Sequence, residues 1–463
     1  MVKFGTGGWR AIIGDEFIKS NIQLVCQSLA ADLDETGIVI GYDRRFLSDA
    51  AAKWACEVFA ANGKKVYFIK EASPTPLTMF AAKTLKTKYG MAITASHNPS
   101  DYNGIKIFTK GGQDATLDVT ETIENRIPNI SEIKTIDFEK GIAAGSIIPL
   151  DPFNEYVDTI LGMIDVEAIK KKRLKVLIDP MFGVSKATLQ TILMTARCDV
   201  DIINNRHDAL FGGQMPSPAE KTLHKLKDMV IDGAFDIGIA TDGDADRIGI
   251  IDDTGRFIHP NEIMALLYYY MLKYKNWNGA VVRNLATTHL LDKIAEGFGE
   301  TCHEVPVGFK YISSKMNETD ALIGGESSGG LTIRGHISGK DGIFASSLLV
   351  ELISVTGKRL SELLDEIYGE FGNFHLAERD YKFSQEKKDA MYNTLFVEKK
   401  LPDFGFDIEK VSYEDGAKIY FKNGGWIIVR FSGTEPLLRL FAEMHEQDLA
   451  DDIANIIEEF LGL

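Results

Sequence analysis

Cysteine is scarce in this sequence, and its spacing excludes two common functions of cysteine. The 463 residues include four cysteines, Cys26, Cys56, Cys198 and Cys302. No two of them form a Cys-X-X-Cys pair, which excludes a zinc knuckle and a thioredoxin-like redox motif. So few cysteines are typical of a reducing compartment, and we expect free, mostly buried thiols.

Excess positive charge and long hydrophobic runs are also missing. The chain has 51 lysines and arginines against 67 aspartates and glutamates, a formal net charge of -16. It lacks the overall basic surface of proteins that bind nucleic acids or anionic membranes, so we expect neither partner. The longest apolar stretch, residues 263–272, is far shorter than a membrane span, and residues 1–10 lack the apolar core of a signal peptide. We therefore expect a cytoplasmic protein, of an oligomeric state that the sequence leaves open.

What the sequence does contain is one structural plan that occurs three times. Short β-branched runs that end at polar residues predict buried strands at 38–45, 174–183 and 280–288. Each is followed by a helix-like stretch and then by a second predicted strand, at 91–96, 237–242 and 321–326. Strands that alternate with helices predict mixed or parallel sheets covered by helices.

The last part of the chain has a different pattern. Strands predicted at 426–430 and 437–443 flank a polar loop, and an amphipathic helix follows. The sequence therefore predicts an α/β protein with three similar α/β domains and a smaller α+β C-terminal domain. The predicted domains are 1–150, 151–252, 253–369 and 370–463.

The first of four polar loops begins where a predicted strand ends. Ser96 stands at that point with His97 beside it, and the turn signal Asn98-Pro99 follows. In sheets with parallel strands, ligands gather at the carboxyl ends of the strands. A serine on a rigid turn there can act as a nucleophile or carry a phosphate. The alternative is a turn serine that caps a helix.

The second loop carries three carboxylates, Asp242, Asp244 and Asp246, immediately after an apolar strand. Three acids so close together repel one another unless a cation lies among them, and Mg²⁺ or Ca²⁺ suits oxygen ligands. An EF-hand is excluded because Arg247 and Asp253 stand where that motif requires glycine and glutamate. A phosphatase of the haloacid dehalogenase type fits the spacing poorly. The alternative is a solvated acidic turn.

The third loop is glycine-rich and spans residues 324–330. Its glycines allow the backbone to approach a ligand, and Glu326 and Ser328 offer the acceptor and donor that sugar hydroxyls need. Residues 325–329 also match the nucleophile elbow of α/β-hydrolases. That elbow should start a helix, whereas residues 331–334 predict a strand. A flexible glycine turn is the third alternative.

The fourth loop concentrates groups that bind anions. Ser432, Gly433 and Thr434 offer backbone N–H and hydroxyl donors, with Arg430 and Arg439 on either side. Arginine grips phosphate through two parallel hydrogen bonds. The alternative is a hairpin with two surface arginines. A phosphate-carrying hydroxyl, a metal triad, a loop that reads hydroxyls and a phosphate clamp together indicate phosphoryl transfer.

These motifs resemble those of the α-D-phosphohexomutase family, of the phosphoglucomutase/phosphomannomutase type. T-A-S-H-N-P, D-G-D-A-D-R, G-E-x-S-G and R-x-S-G-T-E-P-x-x-R occur in the family's order across the whole chain. The resemblance implies four domains around a central cleft. It also implies an intramolecular phosphotransferase that moves phosphate between C1 and C6 of a hexose, through a phosphoserine and a 1,6-bisphosphosugar.

The resemblance also assigns roles to individual residues. Ser96 corresponds to the phosphoserine. Together with Asp242, Asp244 and Asp246 it implies a Mg²⁺ site, and glucose 1,6-bisphosphate is the implied activator. The catalytic group further includes Arg10, His97, Lys106 and Arg247. The implied substrate-binding residues are Glu326, Ser328, Lys310, Lys340, Arg430, Ser432, Gly433, Thr434 and Arg439.

Departures from the family pattern bear on the substrate. Gly7 replaces a serine or aspartate of many members, and Gly330 stands where the mannose and glucosamine branches place a histidine. Residues 307–310 and the Lys340-Asp341-Gly342 segment resemble the glucose branch. The sequence thus favours glucose phosphate as the small-molecule substrate. The alternatives are a phosphomannomutase, a phosphoglucosamine mutase, or a sugar-phosphate-binding protein without turnover.

Overall fold

Four β-sheets with their own helices organise the chain in the computed structural model, which describes residues 2–5, 7–431 and 437–463. Three sheets are mixed and covered by helices, and the fourth is antiparallel. The predicted fold class is therefore confirmed. Within the ranges just given, none of the helices combines the length and apolarity that a membrane span needs.

The first sheet has the strand order β1-β5-β4-β2-β3-β7, and β6 pairs with β5. Its strands are β1 (Trp9–Ile12), β2 (Ile38–Tyr42), β3 (Val66–Ile69), β4 (Tyr89–Ile93), β5 (Tyr102–Thr109), β6 (Gln113–Asp114) and β7 (Ile147–Leu150). Its helices are α1 (Lys19–Ala30), α2 (Ser48–Ala61), α3 (Thr75–Leu85), α4 (Leu117–Arg126) and α5 (Phe138–Ala143). A 3-10 turn, Ile127–Asn129, follows α4.

The second sheet has the order β12-β11-β10-β8-β9. Its strands are β8 (Lys175–Asp179), β9 (Asp199–Ile202), β10 (Ile237–Thr241), β11 (Ile248–Asp252) and β12 (Phe257–Ile258). Its helices are α6 (Phe153–Met163), α7 (Val166–Lys172), α8 (Lys186–Thr195) and α9 (His224–Gly233), with 3-10 turns at Phe211–Gly213 and Glu220–Thr222. Strand β12 lies beyond residue 252, so this sheet continues past the boundary that the sequence predicts.

The third sheet has the order β14-β13-β15-β16. Its strands are β13 (Val281–Asn284), β14 (Cys302–Val305), β15 (Ile323–Gly325) and β16 (Leu331–Ile333). Its helices are α10 (Pro260–Lys273), α11 (Leu290–Gly297), α12 (Phe309–Thr319), α13 (Gly342–Thr356) and α14 (Leu360–Phe371).

The predicted threefold repeat is confirmed by strand order. The three sheets share the orders β5-β4-β2-β3, β11-β10-β8-β9 and β16-β15-β13-β14. In each, the predicted first and second strands pair in parallel, and an antiparallel strand follows the second. The sequence analysis missed a middle strand in each unit. In the second unit this strand, β9, alternates exposed and half-buried residues and lacks the apolar run on which the prediction relied.

The C-terminal domain is the predicted α+β unit. Its sheet has the order β17-β21-β20-β19-β18, and all of these neighbours are antiparallel. The strands are β17 (His375–Lys382), β18 (Ile408–Ser412), β19 (Ala417–Phe421), β20 (Trp426–Phe431) and β21 (Leu437–Met444). The helices are α15 (Gln385–Tyr392), a π-helical turn (Asn393–Val397) and α16 (Gln447–Leu461). Helix α16 buries Ile453 and Ile457 against the sheet, as its amphipathic pattern predicts.

The first three domains share a core that the fourth does not join. One apolar cluster contains Val39 and Met79 of the first domain, Ile239 of the second and Leu348 of the third. The main cluster of the fourth domain contains no residue before Ala377. A smaller apolar patch and ion pairs such as Lys418 Nζ to Glu304 Oε2, 2.7 Å apart, connect the fourth domain to the third. A small, partly polar interface favours relative domain motion.

Candidate active site

Three loops that occupy equivalent positions in the repeat meet at one place. Each connects a second strand to the antiparallel strand after it, and they carry Ser96, Asp242 and Glu326. The Ser96 hydroxyl donates to Asp242 Oδ2 over 2.7 Å, which joins the first loop to the second. An isolated β-bridge between Arg247 and Gly330 joins the second loop to the third. Strand topology therefore brings together motifs that are far apart in the sequence.

Ser96 is fully buried and has left-handed backbone geometry, with φ at 55°. Its N–H donates to Thr94 Oγ1 over 2.8 Å, and its Oγ lies 3.3 Å from His97 Nδ1. Turn and bend residues, and no helix, follow it, so the interpretation of Ser96 as a helix cap is wrong. The turn instead presents the hydroxyl to the acidic loop.

The acidic loop holds three fully buried carboxylates. Oxygens of Asp242, Asp244 and Asp246 all lie within 4.8 Å of one another, and the burial excludes a solvated acidic turn. Backbone N–H groups of Asp246 and Arg247 donate to Asp242 Oδ1 over 3.0 and 3.1 Å. Burial, followed by the nearby Asp244 and Asp246 charges, raises the pKa of Asp242 to about 8. The loop thus concentrates more negative charge than its surroundings easily accept.

Lysine side chains neutralise only part of this charge. Lys106 Nζ lies 2.6 Å from Asp244 Oδ2 and 2.6 Å from Asp246 Oδ2, and Lys340 Nζ lies 3.1 Å from the latter oxygen. Burial lowers the pKa of Lys106, but the carboxylates of Asp244 and Asp246 outweigh burial and leave the pKa above its usual value. Thr75 Oγ1 also donates to Asp244 Oδ2 over 2.6 Å.

Two carboxylate oxygens of the triad have unmet bonding capacity. Asp244 Oδ1 and Asp246 Oδ1 are buried and have no hydrogen-bond partner among the described residues. A buried polar group without a partner costs about 1–3 kcal/mol, and more when it is charged. Carboxylate oxygens are the ligands that Mg²⁺ and Ca²⁺ prefer. The residues present therefore fit a divalent cation.

A group of cationic and polar side chains lies on the other side of Ser96. Arg10 donates to Asn98 Oδ1 over 2.5 Å, while Arg247 Nε lies 3.9 Å from Asp246 Oδ1. Burial, then the Arg247 charge, lowers the pKa of Arg10 to about 10. Burial and both arginines hold the pKa of His97 well below its usual value, so its ring is neutral. Because the Nε groups of Arg10 and Arg247 have no hydrogen-bond partner in the described part of the chain, this group suits an anion such as a phosphoryl group.

The glycine-rich loop presents an acceptor and a donor beside this group. Glu326 is buried and accepts hydrogen bonds from Asn284 Nδ2 and from Ser328 Oγ, both over 3.3 Å, while Ser328 is exposed. Strand β16 follows directly, so the hydrolase-elbow alternative is wrong because no helix begins there. Ser327, which would be the elbow nucleophile, therefore lacks the geometry for that role.

Lys310 and Lys340 extend the cationic lining of the cleft. Both are largely buried; Lys310 lies in the first turn of α12, and Lys340 Nζ lies 5.6 Å from the centre of the Phe309 ring. The stem of Lys340 passes over Gly330, where an added Cβ would lie 2.2 Å from Lys340 Cδ. Position 330 therefore has room only for glycine while Lys340 reaches Asp246.

The fourth motif is described only at its ends. Arg430 and Arg439 are opposite each other on β20 and β21, whereas Ser432, Gly433 and Thr434 lie outside the described residues. Arg430 Nε donates to Asp415 Oδ1 over 2.8 Å, and Val307 N donates to Asp415 Oδ2 over 2.8 Å. Arg439 is exposed, and its Nε lies 3.7 Å from Asp380 Oδ1.

Sequence reasoning missed several residues that shape this site. Asp415 ties Arg430 to the third domain, and Thr75 holds Asp244 from the first. Asp114 is a further buried carboxylate near the cleft: burial raises its pKa, although the Lys340 and Lys106 charges oppose that change. No local spacing marks these residues, because each acts on a loop distant from it in sequence.

Comparison with known proteins gives the same four-domain organisation. Models of the phosphoglucomutase/phosphomannomutase α/β/α domains I, II and III match residues 1–134, 154–255 and 259–371. The model of the C-terminal domain of that family matches residues 386–460. The family model of each domain thus matches in chain order.

Individual relatives cover nearly the whole chain. A phosphoglucomutase/phosphomannomutase of Thermococcus kodakarensis is 32% identical over 96% of this chain and 95% of its own. A probable phosphoglucosamine mutase of Methanothermobacter thermautotrophicus is 31% identical over 96% of this chain and 95% of its own. A crystal structure from Thermus thermophilus, described as that of a phosphomannomutase, has a TM-score of 0.87 and 28% identity and covers 100% of this chain and 99% of its own. The resemblance drawn from the four motifs is confirmed, and this protein belongs to the phosphoglucomutase/phosphomannomutase family.

Proposed function

We propose that this protein is a phosphohexomutase that interconverts hexose 1-phosphate and hexose 6-phosphate, with glucose phosphate preferred. The observation that carries the proposal is the 2.7 Å contact between the Ser96 hydroxyl and Asp242 of the buried acidic triad. A hydroxyl held against a cation site on one side and buried arginines on the other suits reversible phosphorylation.

The proposed reaction moves one phosphoryl group out and another back. The bond between phosphorus and Ser96 Oγ breaks while a bond forms to the free hydroxyl oxygen of the sugar monophosphate. The resulting 1,6-bisphosphosugar turns end over end and returns its other phosphoryl group to Ser96. Each transfer moves one proton between the sugar hydroxyl and a protein group, for which His97 and Lys106 are the candidates. Glucose 1,6-bisphosphate would phosphorylate Ser96 initially.

The charged residues around Ser96 would balance the negative charge of the transferred group. Mg²⁺ held by Asp242, Asp244 and Asp246 supplies positive charge that offsets the charge of the phosphoryl group. Arg10 and Arg247 would donate to the phosphoryl oxygens with N–H groups that have no other partner among the described residues. Because these donors are already buried and oriented, they need little reorganisation during transfer.

Glu326 and Ser328 would bind the sugar hydroxyls, and Lys310 would add charge beside them. In the fourth domain, Arg430 and Arg439, with Ser432, Gly433 and Thr434, would hold the phosphate that is not reacting. A small, partly polar interface between this domain and the third would allow closure over the sugar. Closure excludes water and so limits loss of the phosphoryl group by hydrolysis.

The packing of Gly330 against Lys340 supports glucose phosphate as the preferred substrate. Lys340 occupies the space beside position 330 that a histidine of the mannose and glucosamine branches would need. The names of the relatives include phosphoglucosamine mutases, so glucosamine phosphate is the second candidate.

A coupled assay tests this proposal. Purified protein with Mg²⁺ and a trace of glucose 1,6-bisphosphate would be given the 1-phosphates of glucose, mannose, glucosamine and N-acetylglucosamine. We expect the highest kcat/KM with glucose 1-phosphate, by roughly 10-fold or more, the size of effect that one pocket contact supplies. Turnover of none of the four would refute a hexose mutase if Ser96 becomes phosphorylated. If Ser96 never does, the result would favour a binding protein.

The dependence of Lys340 on Gly330 gives a second prediction. Gly330→Ala adds only a Cβ, but it would push the Lys340 stem aside and withdraw Nζ from Asp246. We expect kcat/KM for glucose 1-phosphate to fall roughly 10-fold to 100-fold, as it does when a charged contact is lost.

A double-mutant cycle supplies the control for this prediction. Lys340→Met keeps the length of the side chain but not its charge, and it should cause a similar loss. The double variant should be little worse than either single variant, because both changes remove the same contact. Additive losses would show that Gly330 acts independently of Lys340.

A further inference from the structure

We propose that Arg45, which lies outside all four motifs, is a positioning residue that holds the Ser96 loop in its reactive conformation. Arg45 follows β2 on the loop that leads into α2, and its side chain is fully buried. The proposal rests on the proposed function of Ser96, because it concerns how that serine is held.

Arg45 donates hydrogen bonds to four backbone carbonyls of one loop. Its Nη1 lies 2.7 Å from Pro99 O and 3.0 Å from Tyr102 O. Its Nη2 lies 2.6 Å from Ser96 O and 2.6 Å from Asn98 O. Carbonyls that point inward in a buried loop need donors, and a planar guanidinium with its fork of N–H groups satisfies several at once. A lysine has a single ammonium group and lacks this fork.

Asp43 orients Arg45 and links it to the amide of Ser96. Its Oδ2 lies 3.3 Å from Arg45 Nε and accepts a hydrogen bond from Thr94 Oγ1 over 2.7 Å. Thr94 Oγ1 in turn accepts from the N–H of Ser96 over 2.8 Å. A closed ring of contacts therefore runs from the Ser96 carbonyl through Arg45, Asp43 and Thr94 to the Ser96 amide.

The same guanidinium also lies against the second domain. It is 4.8 Å from the centre of the Phe211 ring, which belongs to the loop after β9. The Ser96 carbonyl approaches Gly243 of the acidic loop so closely that a Cβ there would lie 2.7 Å from the oxygen. Arg45 thus fixes Ser96 at the point where it touches the loop that carries Asp242 and Asp244.

The left-handed geometry of Ser96 explains why such restraint is needed. Residues other than glycine adopt a φ of 55° rarely, and they keep it only where neighbouring contacts determine it. Without the ring of contacts, the turn can relax and carry the Ser96 hydroxyl away from Asp242. Relaxation would slow phosphoryl transfer without removing any group that binds the sugar.

Arg45→Lys tests the proposal, with the neighbouring Arg44→Lys as the matched control. For Arg45→Lys we expect kcat with glucose 1-phosphate to fall roughly 100-fold while KM changes less than about 3-fold, the pattern of a group needed for reaction geometry. Phosphorylation of Ser96 by glucose 1,6-bisphosphate, followed by intact mass, should slow to a similar degree. Arg44→Lys, whose side chain makes one long contact to Asn205 O at 3.5 Å, should keep wild-type kcat and KM.

Other outcomes would overturn the proposal. A raised KM with normal kcat would place Arg45 in substrate binding, and a lowered melting temperature with normal kcat would leave it a structural role only. If Arg45→Lys does not fold, Asp43→Asn decides: it keeps Arg45 but weakens its orientation, and unchanged kcat would refute the proposal. Absence of turnover in the wild-type protein would instead refute the proposed function, so the two failures are distinguishable.

Discussion

Ser96→Ala should abolish turnover, lowering kcat by roughly 1,000-fold or more, as loss of a covalent nucleophile does. The Ser96 oxygen is the atom that we propose to carry the phosphoryl group, and alanine offers no oxygen in its place. Binding of glucose 1-phosphate should persist with Kd changed less than about 3-fold, because the sugar-binding and phosphate-binding residues are untouched. Calorimetric titration beside the coupled assay measures both quantities.

Ser100→Ala is the matched control for the serine variant. Ser100 lies in the same loop, four residues further on, and is not part of the proposed machinery. Its variant should keep turnover within about 2-fold, since surface changes away from special contacts have small effects. Intact mass adds a second readout: one phosphate should appear on the wild-type protein after treatment with glucose 1,6-bisphosphate and should be absent from Ser96→Ala. Turnover that survives in Ser96→Ala would contradict a phosphoserine mechanism.

The sequence alone predicts the parts of this site that are encoded locally. Asp242, Asp244 and Asp246 follow an apolar strand at alternate positions, so their chemistry is visible without the fold. Ser96 is visible for the same reason, because strand and turn signals lie on either side of it. The threefold repeat is visible because each unit begins with a buried strand of high β-propensity.

Contacts between distant segments escape such reasoning. Arg45 acts on a loop about fifty residues away, and Thr75 holds Asp244 from another domain. Each is an ordinary residue at a strand or helix end, and only the topology shows what its side chain reaches. The dependence of Gly330 on Lys340 is hidden in the same way, since it comes from steric exclusion and not from residue type.

Removal of divalent metal should abolish activity, and Mg²⁺ should stabilise the fold through the same three carboxylates. Treatment with a chelator should lower kcat roughly 100-fold or more, with recovery on addition of Mg²⁺, because metal charge supplies several kcal/mol of transition-state stabilisation. The melting temperature should rise with Mg²⁺, since a ligand at 100 times its Kd stabilises the native state by about 2.7 kcal/mol. Both effects depend on carboxylate oxygens that have no partner among the described residues.

Asp244→Asn separates metal binding from other effects of Mg²⁺. The amide keeps one acceptor for Lys106 or Thr75 but removes a charged ligand, so the Mg²⁺-dependent rise in melting temperature should disappear and kcat should fall roughly 100-fold. Without metal, the variant should melt no lower than the wild-type protein, because one of three mutually repelling buried charges is gone. Asp232→Asn, on the exposed side of α9, should behave as wild type in both measurements. If Asp244→Asn is still stabilised by Mg²⁺ as strongly as the wild-type protein, the cation binds elsewhere and the triad is held by Lys106 and Lys340 alone.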